Sequence, residues 1–330
     1  MWMWSYRRIL RISWTDRVTN VEVLRRMGKQ LDIVRDIKIR KLTYLGHIMR
    51  GPKYMILHLI IQDFCDFAVN VDAWLENVLL IVKNSMLRAK SMIDIYLTAH
   101  NVGLQIFGNR DVKLPEMQMS YDNMMLFFLP GHNNDGSKVA IFKPLSSERG
   151  DHLDLVSTIK RCVMHLDLCL KEGVDFSSLH IIIDASSVKL AHLVAAFNPQ
   201  GVRALTLCMK AYPVRVAQVN VVNVTPNIER MVAFFRPFIS AKIMSRVVVH
   251  REPQILFKDI SKKTLPKDYG GDGPSLEELN VMSQQQLASE KKYFELCDSW
   301  KTDEKKRVGK SQYTNAELSD IGSFRQLSVD

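Results

Sequence analysis

Nine histidines, 35 carboxylates and five cysteines are the side chains with which this 330-residue chain could do acid–base, metal or thiol chemistry. Their spacing argues against each. His152, His165, His180, His192 and His250 are scattered, without the paired spacing that turns two imidazoles toward one metal. Cys65, Cys162, Cys169, Cys208 and Cys297 are odd in number and form no C-x-x-C pair, which points to neither a disulfide framework nor a zinc site. Asp184 closes an apolar run, where a catalytic acid can stand, but no nucleophile–base pair lies beside it. Ser186-Ser187 lacks the G-x-S-x-G frame of a nucleophile elbow. Gly270, Gly271 and Gly273 do not follow the G-x-G-x-x-G order after a strand and read as a turn. No catalytic residue, metal or cofactor is therefore expected.

The segment Asn223–Arg246, NVTPNIERMVAFFRPFISAKIMSR, is a proline-broken helix rich in aromatics, with cations grouped at its end. One reading is an ordinary core helix kinked at Pro237. Its aromatic and aliphatic side chains are also of the kind that can enter a bilayer interface.

The elements that position this segment alternate. Ser85 or Asn84 can cap a helix carrying Met86, Ala89, Ile93 and Tyr96, and IFGNRDVKLPEMQ after it reads as a loop. Met124–Leu129 and Lys138–Phe142 flank GHNNDG, a hairpin signal. Asp151 or Asp154 opens a helix whose Val156, Ile159, Val163, Leu166 and Leu170 form one buried stripe. Leu179–Ile183 is a continuous apolar run, typical of a strand covered on both sides. Asn198-Pro199 starts a helix to about Ala211, Val216–Val224 is strand-like, Thr225-Pro226 opens the next helix, and Val247–Val249 is a last short strand. This order predicts an α/β fold with a mainly parallel sheet under helices. Ser275 and Glu278 make a capping box for a long terminal helix, and residues from Lys301 read as a polar tail.

The composition, 47% hydrophobic and 24% charged, is that of a soluble globular protein. There is no signal-peptide core and no run near the ~20 apolar residues of a membrane span. A reduced, cytoplasmic setting is the simplest reading. The net charge of +10 suggests nucleic acid, but residues 1–53 hold thirteen Lys/Arg against four Asp/Glu, +9 of that total. The rest of the chain carries about +1. The basic end reads as two helices, one capped by Asn20 and ending near Gly28, the other stopped by Gly51-Pro52.

Two resemblances follow. WTDRVTNVEVLRRMGKQLDIVRDIKIRKLTYLGHIMRG looks like the C-terminal tail of a non-LTR retroelement reverse transcriptase, over residues 1–60. It lacks the paired aspartates of a polymerase, so a nucleic-acid-binding remnant or a passive fusion are the roles it implies. AYPVRVAQVNVVN, FRPFISAKI, LPKDYGGDGPSLEEL and GSFRQLSVD resemble the CRAL-TRIO lipid-binding family, the fold of the tocopherol and retinaldehyde transfer proteins, in its insect form. That resemblance runs from about Asp72 to the end. It implies a partial helical N-terminal domain at 61–115, a CRAL-TRIO lipid-binding domain at 116–279, and a C-terminal helix and tail at 280–330. It implies a hydrophobic ligand such as a tocopherol or retinoid, transferred between membranes by a cytoplasmic, peripherally and reversibly membrane-associated protein that is not an enzyme. The implied pocket is Val156, Ile159, Val163, Leu179, Ile183, Ala196, Leu207, Tyr212, Val216, Val219, Phe235 and Ile239. The implied mobile lid carries Ile228, Met231, Phe234, Phe235 and Phe238. Phosphoinositide headgroups would be met by Arg215, Lys242 and Arg246, with Ala217 at a fourth position that is basic in relatives. A membrane adaptor that docks on phosphoinositides without transferring cargo is the alternative.

Overall fold

A computed structural model of the chain describes residues 71–133, 135–145, 153–174, 176, 178–236 and 241–300. The retroelement-like segment, Pro237 and the polar tail fall outside the described residues. Among the described residues, four helices come first: α1 (Val71–Ile81), α2 (Met86–Val102), α3 (Leu104–Phe107) and α4 (Pro115–Asn123). A sheet with its cover follows: β1 (Met124–Phe128), β2 (Lys138–Pro144), α5 (Leu155–Glu172), β3 (Ser178–Asp184), α6 (Leu190–Ala196), α7 (Pro199–Ala211), β4 (Arg215–Val222), α8 (Pro226–Phe235), α9 (Ala241–Met244) and β5 (Val247–Val249). Helices α10 (Leu276–Ser289) and α11 (Lys291–Ser299) close the described chain. The strands lie in the order β1-β2-β3-β4-β5. The β1–β2 hairpin is antiparallel and the other pairs are parallel.

Local chemistry explains most helix starts. Ser85 accepts from Arg88 N–H, Asp154 from Val156 and Ser157, Asn198 from Gln200, and Thr225 from Ile228. Each satisfies donors that a helix leaves open at its first turn. Pro199 and Pro226 sit in first turns, where no N–H is needed. Ser275 and Glu278 close their capping box around α10. Three expectations change. The presumed loop after α2 holds α3 and α4, because Pro115 starts a helix and Ile106, Phe107 and Met117 are buried. α6 was not foreseen, since its Leu190 and Val194 are exposed and make no buried stripe. The terminal helix is two pieces that meet at Glu290.

The two faces of the sheet are covered differently. On one, Met125, Phe127, Val139, Ile141, Ile182 and Val222 pack against Leu256, Ile260, Leu265, Tyr269, Leu276 and Leu279. These last six come from the stretch that contains the Gly-Gly turn. Gly270 takes the left-handed conformation at φ +81°, after a 3₁₀ turn over Lys267–Tyr269. At Gly271 the backbone itself is in the way, because a Cβ there would stand 2.0 Å from the Leu265 carbonyl oxygen. Gly271→Ala must push Leu265, a fully buried residue, off the sheet. The expected loss is about 2–3 kcal/mol, as for an overpacked core, read from urea denaturation.

Candidate functional site

The other face carries the site. Side chains alternate along a strand, and paired residues of parallel neighbours share a face. Ile181 pairs with Val219, and Ile183 with Phe142 and Val221, so these five form one apolar floor. Helix α8 lies over the β4 side of this floor through Ile228, Met231 and Val232. Among the described residues the cover is incomplete. Val139, Ile141, Ile182 and Val222 on the opposite face keep at most 1% of their surface exposed. On the α8 face, Val219 and Val221 are buried at 8% exposed, but Phe142, Ile181, Ile183, Val216, Met231, Val232 and Val247 are only half-buried. The same strands are therefore sealed on one side and left part-open, apolar, on the other.

Helix α8 is fixed at its start. Asn223 lies in the left-handed region at φ +57°, a conformation asparagine tolerates. Its side-chain amide donates to Asp184 Oδ1 at 2.9 Å. Asp184 also accepts from the Tyr269 hydroxyl at 3.1 Å and pairs with Lys143 at 3.2 Å. Burial raises its pKa, but the bonds from Asn223 and Ser186 prevail and hold the carboxyl below its usual range. Asp184 thus joins the end of β3, the Gly-Gly turn and the foot of α8. Along α8, Ile228 is buried, Met231 is half-buried and Phe234 is 68% exposed. The side chains of Phe235, Phe238 and Ile239 fall outside what the structure describes.

The pocket residues named from sequence divide. Leu179, Ile183, Val216 and Val219 lie on the part-open face of β3 and β4. Ile159 and Val163 are buried on α5, Val156 is half-buried there, and Ala196 is half-buried at the end of α6. Leu207 and Tyr212 belong to the helical layer. Leu207 fills the space beside Gly103, where its Cδ2 would stand 2.3 Å from an added Cβ, and the Tyr212 hydroxyl donates to Asp167. The cations sit at one end of the β4–β5 pair. Arg215 is the exposed first residue of β4, and Arg246 donates from Nη1 to the Val216 carbonyl at 2.8 Å. Lys242 is exposed on α9, four residues before Arg246.

Sequence reading missed the buried polar network of the helical layer. Asp167 on α5 pairs with Arg110 and accepts from the hydroxyls of Tyr96 at 2.9 Å and of Tyr212. Arg110 also bonds Asp298 on α11 through Nε at 2.7 Å. Burial lifts the Asp167 carboxyl above its usual range, while Arg110 and the tyrosine hydroxyls pull it back. Nearby, Arg161 is buried over the Tyr121 ring and donates to the carbonyls of Ser120, Met124 and Leu126. These partners are dozens of residues apart, which leaves no periodic signal.

Two histidines are also buried without charge. Burial, then Arg161, lowers His165 to about 3. Burial, then Arg110, lowers His100 well below its usual value. In the unfolded chain both titrate near 6.5, so below that pH the unfolded state binds more protons. Stability therefore falls as pH drops from about 6.5 toward the folded pKa. Urea midpoints measured from pH 7.5 to 5 should decline, and His165→Phe should flatten the decline.

Residues 122–271 match the family model of the CRAL/TRIO domain. These residues have the fold of a CRAL/TRIO domain. The match begins at the end of α4 and stops at Gly271, so it spans the whole sheet, α5 to α9 and the Gly-Gly turn. The domain supports lipid binding at the level of the family. Among solved structures, the crystal structure of Sfh5 is similar at 14% identity and a TM-score of 0.42, covering 67% of this chain and 81% of that one. No curated protein matches the chain. Among the described residues, no helix is long and apolar enough to cross a membrane.

Proposed function

We propose that the CRAL/TRIO domain holds a hydrophobic small molecule against the part-open sheet face, beneath α8, and carries it between membranes. The observation that supports this is the contrast between the two faces. A chain that packs Ile182 and Val222 completely leaves Ile181, Ile183 and Val216 half-covered one residue away or on the neighbouring strand. A ligand that buries roughly 400 Å² of apolar surface there gains about 10 kcal/mol before the costs of association. Neither a metal nor a cofactor is needed for that. A tocopherol, a retinoid or a related isoprenoid has the right character, and the role is carriage rather than catalysis.

Release requires α8 to swing from its Asn223–Asp184 foot. Phe234, already exposed, is the side chain that would enter an interface first. Arg215, Lys242 and Arg246 would face acidic headgroups at the cytoplasmic surface of a membrane, each contributing ~1 kcal/mol. Part of Arg246 is held by the Val216 carbonyl, so it positions β5 as well as adding charge. Native mass spectrometry of protein taken from cells tests the reading. A carrier emerges with a lipid-sized adduct that is lost on denaturation; protein that emerges bare and accepts no added tocopherol or retinoid contradicts it.

A further inference from the structure

A second recess lies at the β1 edge of the sheet, between the second half of α5 and α10. It is a cleft of about 440 Å³, within the range of small-molecule sites. None of the twelve pocket positions named above lines it. Its inner wall contains Lys138, the first residue of β2, which is 8% exposed. The ammonium donates to the Gly131 carbonyl at 3.0 Å. Among the described residues no carboxylate lies within ion-pair reach of it, and burial lowers its pKa. A buried cation with one carbonyl for a partner is costly to keep charged.

Of the other wall residues, Glu172 acts on that charge only from a distance, without an ion pair. His165 stacks on Phe128 and its Nε2 lies 3.0 Å from the Ser283 hydroxyl. Burial keeps the imidazole neutral, and burial holds the Cys169 thiol up at about 12. Glu172 belongs to the rim, where it accepts from Gln286 at 3.2 Å. Phe128, Leu168, Leu279 and Met282 supply the apolar surface.

We propose that this cleft is a second binding site, separate from the sheet face, for a small monocarboxylic acid with an apolar body. The carboxylate meets Lys138 and the body lies along Phe128 and Met282. One cation suits one negative charge; a phosphate would call for more donors. The lipid reading does not enter this assignment.

Methyl NMR of the full chain, titrated with benzoate and with benzyl alcohol as the uncharged match, tests it. Benzoate should give saturable shifts at Met282, Leu168 and Leu279, and benzyl alcohol should bind at least about tenfold more weakly, the worth of one charge-assisted hydrogen bond. Lys138→Met should remove the preference for the acid. Met282→Trp, at a side chain 53% exposed, should block both probes and serves if Lys138→Met does not fold. Equal binding of the two probes, shifts confined to Ile181 and Ile183, no saturation at millimolar benzoate, or no effect of either variant would overturn the proposal.

Discussion

Asp167→Ala is expected to lower folding stability by about 3–5 kcal/mol, the cost of breaking a buried ion pair from one side. The carboxylate is the shared acceptor of Arg110, Tyr96 and Tyr212. Removing it leaves a guanidinium with no exposed surface and two buried hydroxyls without that acceptor. Arg110 would still reach Asp298, which limits the damage to part of the charge. The network joins α2, the α3–α4 connection, α5, the end of α7 and α11, so the loss should appear as one cooperative shift of the urea midpoint. Arg110→Met with Asp167→Leu, which removes both charges, should cost less than Asp167→Ala alone. If the double variant is the less stable, the pair stabilises the fold outright and the desolvation account fails.

The second large effect separates fold from function within one strand. Ile183→Glu should leave the domain folded and weaken binding of a hydrophobic ligand by at least about 100-fold, because the ligand would have to cover a carboxylate. Ile183 is half-buried, so in the free protein the new charge reaches solvent. Ile182→Glu, one residue back, should unfold the domain, since Ile182 has no exposed surface and packs on the sealed face. Circular dichroism reports the fold and a fluorescent tocopherol analogue reports the binding. Equal losses of structure in both variants would mean that the two faces do not differ as described.

Much of this architecture is legible in sequence because it is local. Asp154, Asn198, Thr225 and Ser275 announce helix starts within three residues of the N–H groups they satisfy. The Gly-Gly turn is equally local, since Gly271 meets Leu265 only six residues away. Alternation along β3 and β4 also tells which residues share a face. It does not tell what covers that face, and so the half-open state of Ile181 and Ile183 needed the fold. The same limit hid the contacts that Leu207 and Tyr212 make in the helical layer. Their apolar or aromatic character fits a pocket wall as well as a helical layer, and the contacts with Gly103 and Asp167 come from residues distant in sequence. The buried Arg110 and Arg161 were invisible for a related reason: a sequence treats arginine as surface by default, and the acceptors here are distant side chains and backbone carbonyls.

The proposed lid stands partly in the described residues and partly outside them. Its foot, at Asn223 and Asp184, and its far anchor, at Arg246 and the Val216 carbonyl, are both defined. Between them α8 presents Ile228 to the floor and Phe234 to solvent. That is the polarity a cover needs if it is to close on an apolar ligand and still meet a membrane.

Transfer of a fluorescent tocopherol or retinoid analogue from donor to acceptor vesicles by the purified full chain tests the central claim most directly. The account predicts transfer whose rate rises with protein, is lost in Ile183→Glu, and is slowed when phosphoinositide is omitted from the acceptor. Failure to extract or move any such ligand, with the domain folded, would contradict it.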